Sequence, residues 1–151
     1  MENRKEIIEE LNDILERNYD SVEGFRKAAE NANDNRLMGY FNKQVLKRKD
    51  YIGDLTAEVR SLGGEPKESG TIEGTFHRAW IDFKSAVSFE NDESVIEACI
   101  TGEKKCIEEY NDLLEETHLP GSTRLLLNKQ KMGVEASVRS LELKEDEYDI
   151  D

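Results

Sequence analysis

The stretch Cys99–Tyr110, CITGEKKCIEEY, decides the fold. At helical spacing, Ile96, Cys99, Glu103, Cys106, Tyr110 and Leu113 fall on one stripe, stepping three and four residues alternately. Five of the six suit the core of a helical bundle. The sixth is a carboxylate. Glu103 has three physical readings: a metal ligand, half of a buried ion pair, or a residue on a solvated helix edge.

The same periodicity extends outward on both sides. The first helix is expected from about Asn3 to Ala32, with the stripe Ile8, Leu11, Leu15, Asn18, Val22, Phe25, Ala29 and Ala32. Asn31, Asn33, Asp34 and Asn35 then supply turn and cap chemistry. The second helix is expected from about Arg36 to Leu62, with Met38, Phe41, Val45, Arg48, Ile52, Leu55, Val59 and Leu62 on its stripe. Gly63 and Gly64 stop it. The helix holding Cys99 opens at Asn91 or Asp92, with acids in its first turn, and ends near Thr117. A fourth helix follows the break at Pro120-Gly121-Ser122 and runs from about Thr123 to Leu143, on Leu127, Val134, Val138 and Leu141.

Between Gly63 and Asn91 lies a long connection. It contains TFHRAWIDFKSAVSF, where Phe76, Trp80, Phe83 and Val87 share one face of a shorter helix. Two helices, a long connection with its own helix, then two more helices predict an all-α, ferritin-like four-helix bundle with one crossover. The rival is an up-down-up-down bundle with the small helix capping one end. Residues 1–143 form the expected domain. The last residues, 144–151 (KEDEYDID), read as a frayed acidic tail.

Composition narrows the setting. A chain of 151 residues suits one domain with a real core. The net charge of −13 repels nucleic acid and anionic lipid, so neither is an expected partner. No apolar run approaches the ~20 residues of a membrane helix. The N-terminus lacks a basic flank and apolar centre, which predicts a cytoplasmic protein. Cys99 and Cys106 lie two helical turns apart, about 10.5 Å of rise. Disulfide Cα atoms sit within about 7 Å, so two free buried thiols are expected.

Asn18, Arg48 and Glu103 each interrupt their stripe. Counted from the turns, the three lie nearly level. The level position in the fourth helix falls near Glu135, with Gln130 about five residues away, roughly 7–8 Å along the axis. A lone buried carboxylate is costly, and a guanidinium at the same height suits bidentate pairing. The expected layer is Glu103 paired with Arg48, with Asn18 completing the hydrogen bonds. Ferritin-like di-iron sites instead need a Glu from each of two helices and a Glu-x-x-His from each of the others. Neither histidine, His77 or His118, stands in such a sequence. Glu23, Glu103 and Glu135 form the alternative, an all-oxygen site for iron or manganese, although Arg48 would repel the ion. The chain carries no phosphate-binding glycine loop and no nucleophile motif.

Four stretches carry a family resemblance: LNDILERNYDSVEGFRKAAE (11–30), LTAEVRSLGGEP (55–66), GTFHRAWIDFKSAV (74–87) and GEKKCIEEYNDLLEE (102–116). Together they resemble the bacterial ferritin-like four-helix proteins known as a domain of unknown function, of the DUF2383 type. The resemblance implies a ferritin-like bundle with the tryptophan segment in the crossover, and no established activity. Members of that family often carry a histidine in the last helix, and EASVRSL (135–141) puts Glu135 at that place. The expected role is therefore non-enzymatic: structural, stress-linked or in interactions. The alternative is an iron- or manganese-binding protein or oxidase with an atypical carboxylate site. Phe76, Trp80 and Phe83 are the candidate interface of a homo-oligomer, in the simplest case a dimer.

Overall fold

The computed structural model describes residues 2–70 and 91–149. These form four α-helices and no strand: α1 (Glu2–Asn31), α2 (Asn35–Ser61), α3 (Asp92–Leu114) and α4 (Gly121–Asp149). Phe76, His77, Trp80 and Phe83, with the shorter helix expected around them, lie outside the described residues.

Local chemistry sets the helix ends. Asp34 caps α2, its side chain accepting from the Arg36 amide at 2.7 Å. Asn91 caps α3 by accepting from the Glu93 amide at 2.8 Å. Each satisfies amides that the first helical turn leaves without partners. At the end of α2, Gly63 takes a φ of +89°, a left-handed conformation that favours glycine. The Gly63 and Gly64 amides then bond back to Arg60 and Val59. Gly64 also packs so tightly that a Cβ there would stand 2.5 Å from Ile8 Cγ2, which seals the end of α2 against the start of α1. Between α3 and α4, the Arg124 guanidinium donates to the Leu114 and Glu116 carbonyls at the end of α3.

α1 packs against α2 and α3 against α4 as antiparallel pairs. α1 also lies beside α3, and α2 more lightly beside α4. Asp92 fixes where α3 starts. Its carboxylate accepts from the Asn33 and Asp34 amides at 2.8 and 3.0 Å, at the turn joining α1 to α2. α2 and α3 therefore begin at the same end and run parallel. The end of α2 and the start of α3 thus lie at opposite ends of the bundle, roughly 40 Å apart for a 27-residue helix. After α2, residues 65–67 run beside α1. Asn12 Nδ2 donates to the Glu65 carbonyl (3.0 Å) while the Lys67 amide donates to Asn12 Oδ1 (2.9 Å). Lys67 pairs with Glu16, and Gly70 lies against Asp20 where a Cβ would meet Oδ1 at 2.3 Å. An up-down-up-down chain would instead start α3 beside Gly63.

Two boundaries differ from the sequence reading. α3 stops at Leu114, short of Thr117. α4 continues to Asp149, through residues expected to fray. The acidic composition hid two anchors. Tyr148 packs on the core and its hydroxyl donates to Asp92 Oδ2 at 3.3 Å. The Lys144 ammonium lies 4.7 Å from the Tyr40 ring centre.

The core divides in two. One cluster, around Phe25, Phe41, Ile96 and Leu141, lies toward the α1–α2 turn. The other, around Leu11, Leu15, Leu55, Tyr110 and Leu127, fills the opposite end. Between them all four helices turn polar side chains inward.

Candidate functional site: a buried polar layer

Arg48 projects from α2 and Glu103 from α3, diagonally across the bundle. They are 1% and 2% exposed. Arg48 Nη1 donates to Glu103 Oε1 at 2.8 Å, and Nη2 donates to Oε2. This is the two-pronged geometry that a guanidinium and a carboxylate share. The Arg48 guanidinium carbon also lies 5.4 Å from the Phe25 ring centre and 5.7 Å from that of Tyr51. Burial by itself lowers the pKa of a guanidinium. The charge and hydrogen bonds of Glu103 outweigh that, so the net shift is upward and Arg48 stays charged.

A second chain of bonds links the helices side by side. Asn18, fully buried on α1, donates from Nδ2 to the Ile14 carbonyl (2.9 Å) and to the Tyr110 hydroxyl of α3 (3.1 Å). Tyr110 donates onward to Gln130 Oε1 on α4 at 2.7 Å. Gln130 Nε2 donates to the Tyr51 carbonyl of α2 at 3.3 Å. The Tyr110 phenol is pushed well above its ordinary pKa, first by burial, so it remains the neutral donor this chain requires.

The expected members thus fall into two groups. Arg48 and Glu103 meet. Asn18 is at the same height but bonds to Tyr110, where the sequence reading had it completing the ion pair. The α4 member is Gln130, not Glu135. Gln130 sits on the inward register of Leu127 and Val134, while Glu135 is turned to a half-buried flank. Glu23 is at the surface, paired with Arg26 at 3.1 Å. The carboxylates Glu23, Glu103 and Glu135 are therefore not brought together. Among the described residues no group of three or more His, Cys, Asp and Glu side chains is placed to hold a metal ion. The donor set does not fit a carboxylate metal centre, because Arg48 takes both oxygens of Glu103 and sets a fixed positive charge beside it.

Within this layer, Arg48 Nε, a donor, and Asn18 Oδ1, an acceptor, are buried with no hydrogen-bond partner among the described residues. Cys99 and Cys106 flank Glu103 along α3 as free, buried thiols. Burial raises both, Cys99 well above its ordinary value and Cys106 to about 12, so neither is a nucleophile at neutral pH. The Tyr110 hydroxyl and Gln130 were missed from sequence. Tyr110 was legible only as an apolar stripe member, and the 127–130–134 spacing was the signal that could have found Gln130.

The fold and its layer define an all-α bundle closed by a polar core. The chain belongs to the family described as Domain of unknown function (DUF2383), whose model matches residues 6–116. That span takes in nearly all of α1, all of α2 and all of α3, and stops before α4. Gln130 thus comes from outside the matched region. No curated protein sequence matches the chain.

Proposed function

We propose that this chain is a ferritin-like bundle that works as a non-enzymatic protein, in a structural, stress-linked or interaction role. The crossover topology supports the ferritin-like reading, since α2 and α3 run parallel between two antiparallel pairs. One observation carries the functional reading. Both oxygens of the inward carboxylate on α3 are held by a guanidinium, where a di-metal protein would present ligands. A cation already occupies the place where a metal would bind. The two buried free thiols support a reducing, cytoplasmic setting.

Metal analysis after anaerobic loading with Fe(II) or Mn(II) tests the reading, with Glu103→Gln beside the parent chain. The expected result is no stoichiometric metal in either protein. Stoichiometric metal in the parent, lost in Glu103→Gln, would replace the reading with a metal-binding function.

A further inference from the structure

α4 has a second apolar face. Leu125, Met132 and Leu143 are 74%, 66% and 67% exposed. At 100° per residue they point within about 20° of one another. That direction is opposite to Leu127, Val134 and Leu141, which fill the core. Ala136 lies in the same strip, and exposed Lys129 and Arg139 border it. Over residues 121–140, α4 carries Arg124, Lys129, Lys131 and Arg139 against Glu135 alone, in a chain of net charge −13.

The opposite character appears between α1 and α3. A groove of about 240 Å³ has Ile14 and Leu113 at its base and Glu10, Asp13, Glu109 and Asp112 around it. Arg17 reaches in and holds Glu109 at 2.8 Å. Burial raises the carboxyls of Glu10, Asp13 and Glu109 above the usual range; neighbouring acids add to it at Glu10, while Lys67 and Arg17 oppose it at Asp13 and Arg17 opposes it at Glu109. Glu10 Oε2 is buried with no hydrogen-bond partner among the described residues. Ile14 and Leu113 are each only 2% exposed, so the groove presents chiefly its acidic rim, with Arg17 as the cation among its lining residues.

We propose that the outer face of α4 docks into the α1–α3 groove of a second copy of the chain. The occupant follows from charge complementarity: each copy carries both an exposed strip with basic borders and a groove with an acidic rim. An anionic membrane would suit the strip but is repelled by the rest of the molecule. The two patches lie on different sides of the bundle, so docking leaves one strip and one groove free. The contact is heterologous, and assembly grows head to tail. From Leu125 to Leu143 the strip is about 27 Å long and one helix wide. That is smaller than the ~800 Å² per partner of a standard interface, so the association is weak and reversible. Its rim charges make it sensitive to salt.

The inference deepens the interaction reading and rests on it. Metal bound at Glu103 would refute that reading while leaving the sedimentation result untouched, so the two fail separately. The test is sedimentation velocity of the full chain from about 10 µM to about 1 mM, at about 0.05 M and about 0.5 M salt. Two surface variants accompany it, Lys129→Glu/Arg139→Glu on the strip and Asp13→Lys/Asp112→Lys on the groove. The parent chain is expected to form species beyond a dimer at low salt. Each variant alone, checked for an unchanged helical spectrum, should weaken association at least about tenfold. Mixed together the two variants should associate again, because each supplies the patch that complements the other. A parent chain that is monomeric throughout would overturn the proposal. So would association that survives in the groove variant, or that stops at a dimer.

Discussion

Replacing Glu103 with Gln removes one charge from a pair that is almost wholly shielded from water and leaves Arg48 buried without its counter-ion. Two charge-assisted hydrogen bonds weaken together. Gln offers one acceptor oxygen and turns an amide toward the second guanidinium nitrogen. Breaking a buried pair by removing one partner costs about 3–5 kcal/mol. For a domain of this size, ~2–4 °C per kcal/mol predicts a fall in Tm of about 6–20 °C. The double variant Arg48→Met/Glu103→Leu behaves differently, because no orphan charge remains. Exchanging a buried pair for apolar residues of similar size is often neutral, or stabilising by about 1–4 kcal/mol. Urea unfolding of the parent, both single variants and the double variant, followed by circular dichroism, gives the full cycle. The expected pattern is two damaging single changes that cancel when combined. Single-variant losses below about 1 kcal/mol, the scale of an exposed ion pair, would refute the burial argument. So would losses that simply add in the double variant.

Three further outcomes follow from named contacts. Tyr110→Phe deletes the hydroxyl joining Asn18 to Gln130 and strands Gln130 Oε1, so urea unfolding should show a loss of about 1–3 kcal/mol with the helical spectrum retained. Gly133→Ala places a Cβ 1.9 Å from the Tyr51 hydroxyl, on a ring that also lies against Arg48; thermal melting should report a loss of about 1–3 kcal/mol, where an open helical site would gain from the same change. Cys106 should resist thiol reagents at neutral pH and react only as the chain unfolds, at a rate that rises with urea. Its folded pKa lies above the ordinary thiol value of 9.0, so the folded state holds that proton longer than the unfolded one. The resulting stability is present below pH 9.0 and is lost as pH rises toward about 12, which unfolding midpoints across that range will show.

The helices were legible because a buried stripe at 3.6-residue spacing leaves a strong imprint. The caps at Asp34 and Asn91 and the stop at Gly63 were legible because only a few residue types satisfy those backbone geometries. The Arg48–Glu103 contact could be anticipated from height alone, since two level, opposite charges inside a core have strong reason to meet. Asn18 was harder. Its height was right, but rotation about the helix axis, set by packing, turned its amide to Tyr110. The α4 member was harder still. Three consecutive leucines, Leu125 to Leu127, blur that register, and counting from a helix end at Thr117, when α3 stops at Leu114, leads to Glu135 in place of Gln130. Residues 144–149 were misjudged because composition records charge density and not single anchors such as Tyr148 on Asp92. The exposed face of α4 was invisible for the same reason as its register: the same leucines serve two opposite sides of one helix.

The central claim is that a guanidinium, and no metal, neutralises Glu103 in the core. Nitrogen-15 NMR of the Arg48 guanidinium during a Mn(II) titration tests it most directly. Separately resolved Nη signals are expected, because both nitrogens donate to one fixed carboxylate, with slow solvent exchange and no change on adding Mn(II). Averaged signals that exchange with water like those of surface arginines, or signals broadened away at stoichiometric Mn(II), would contradict it.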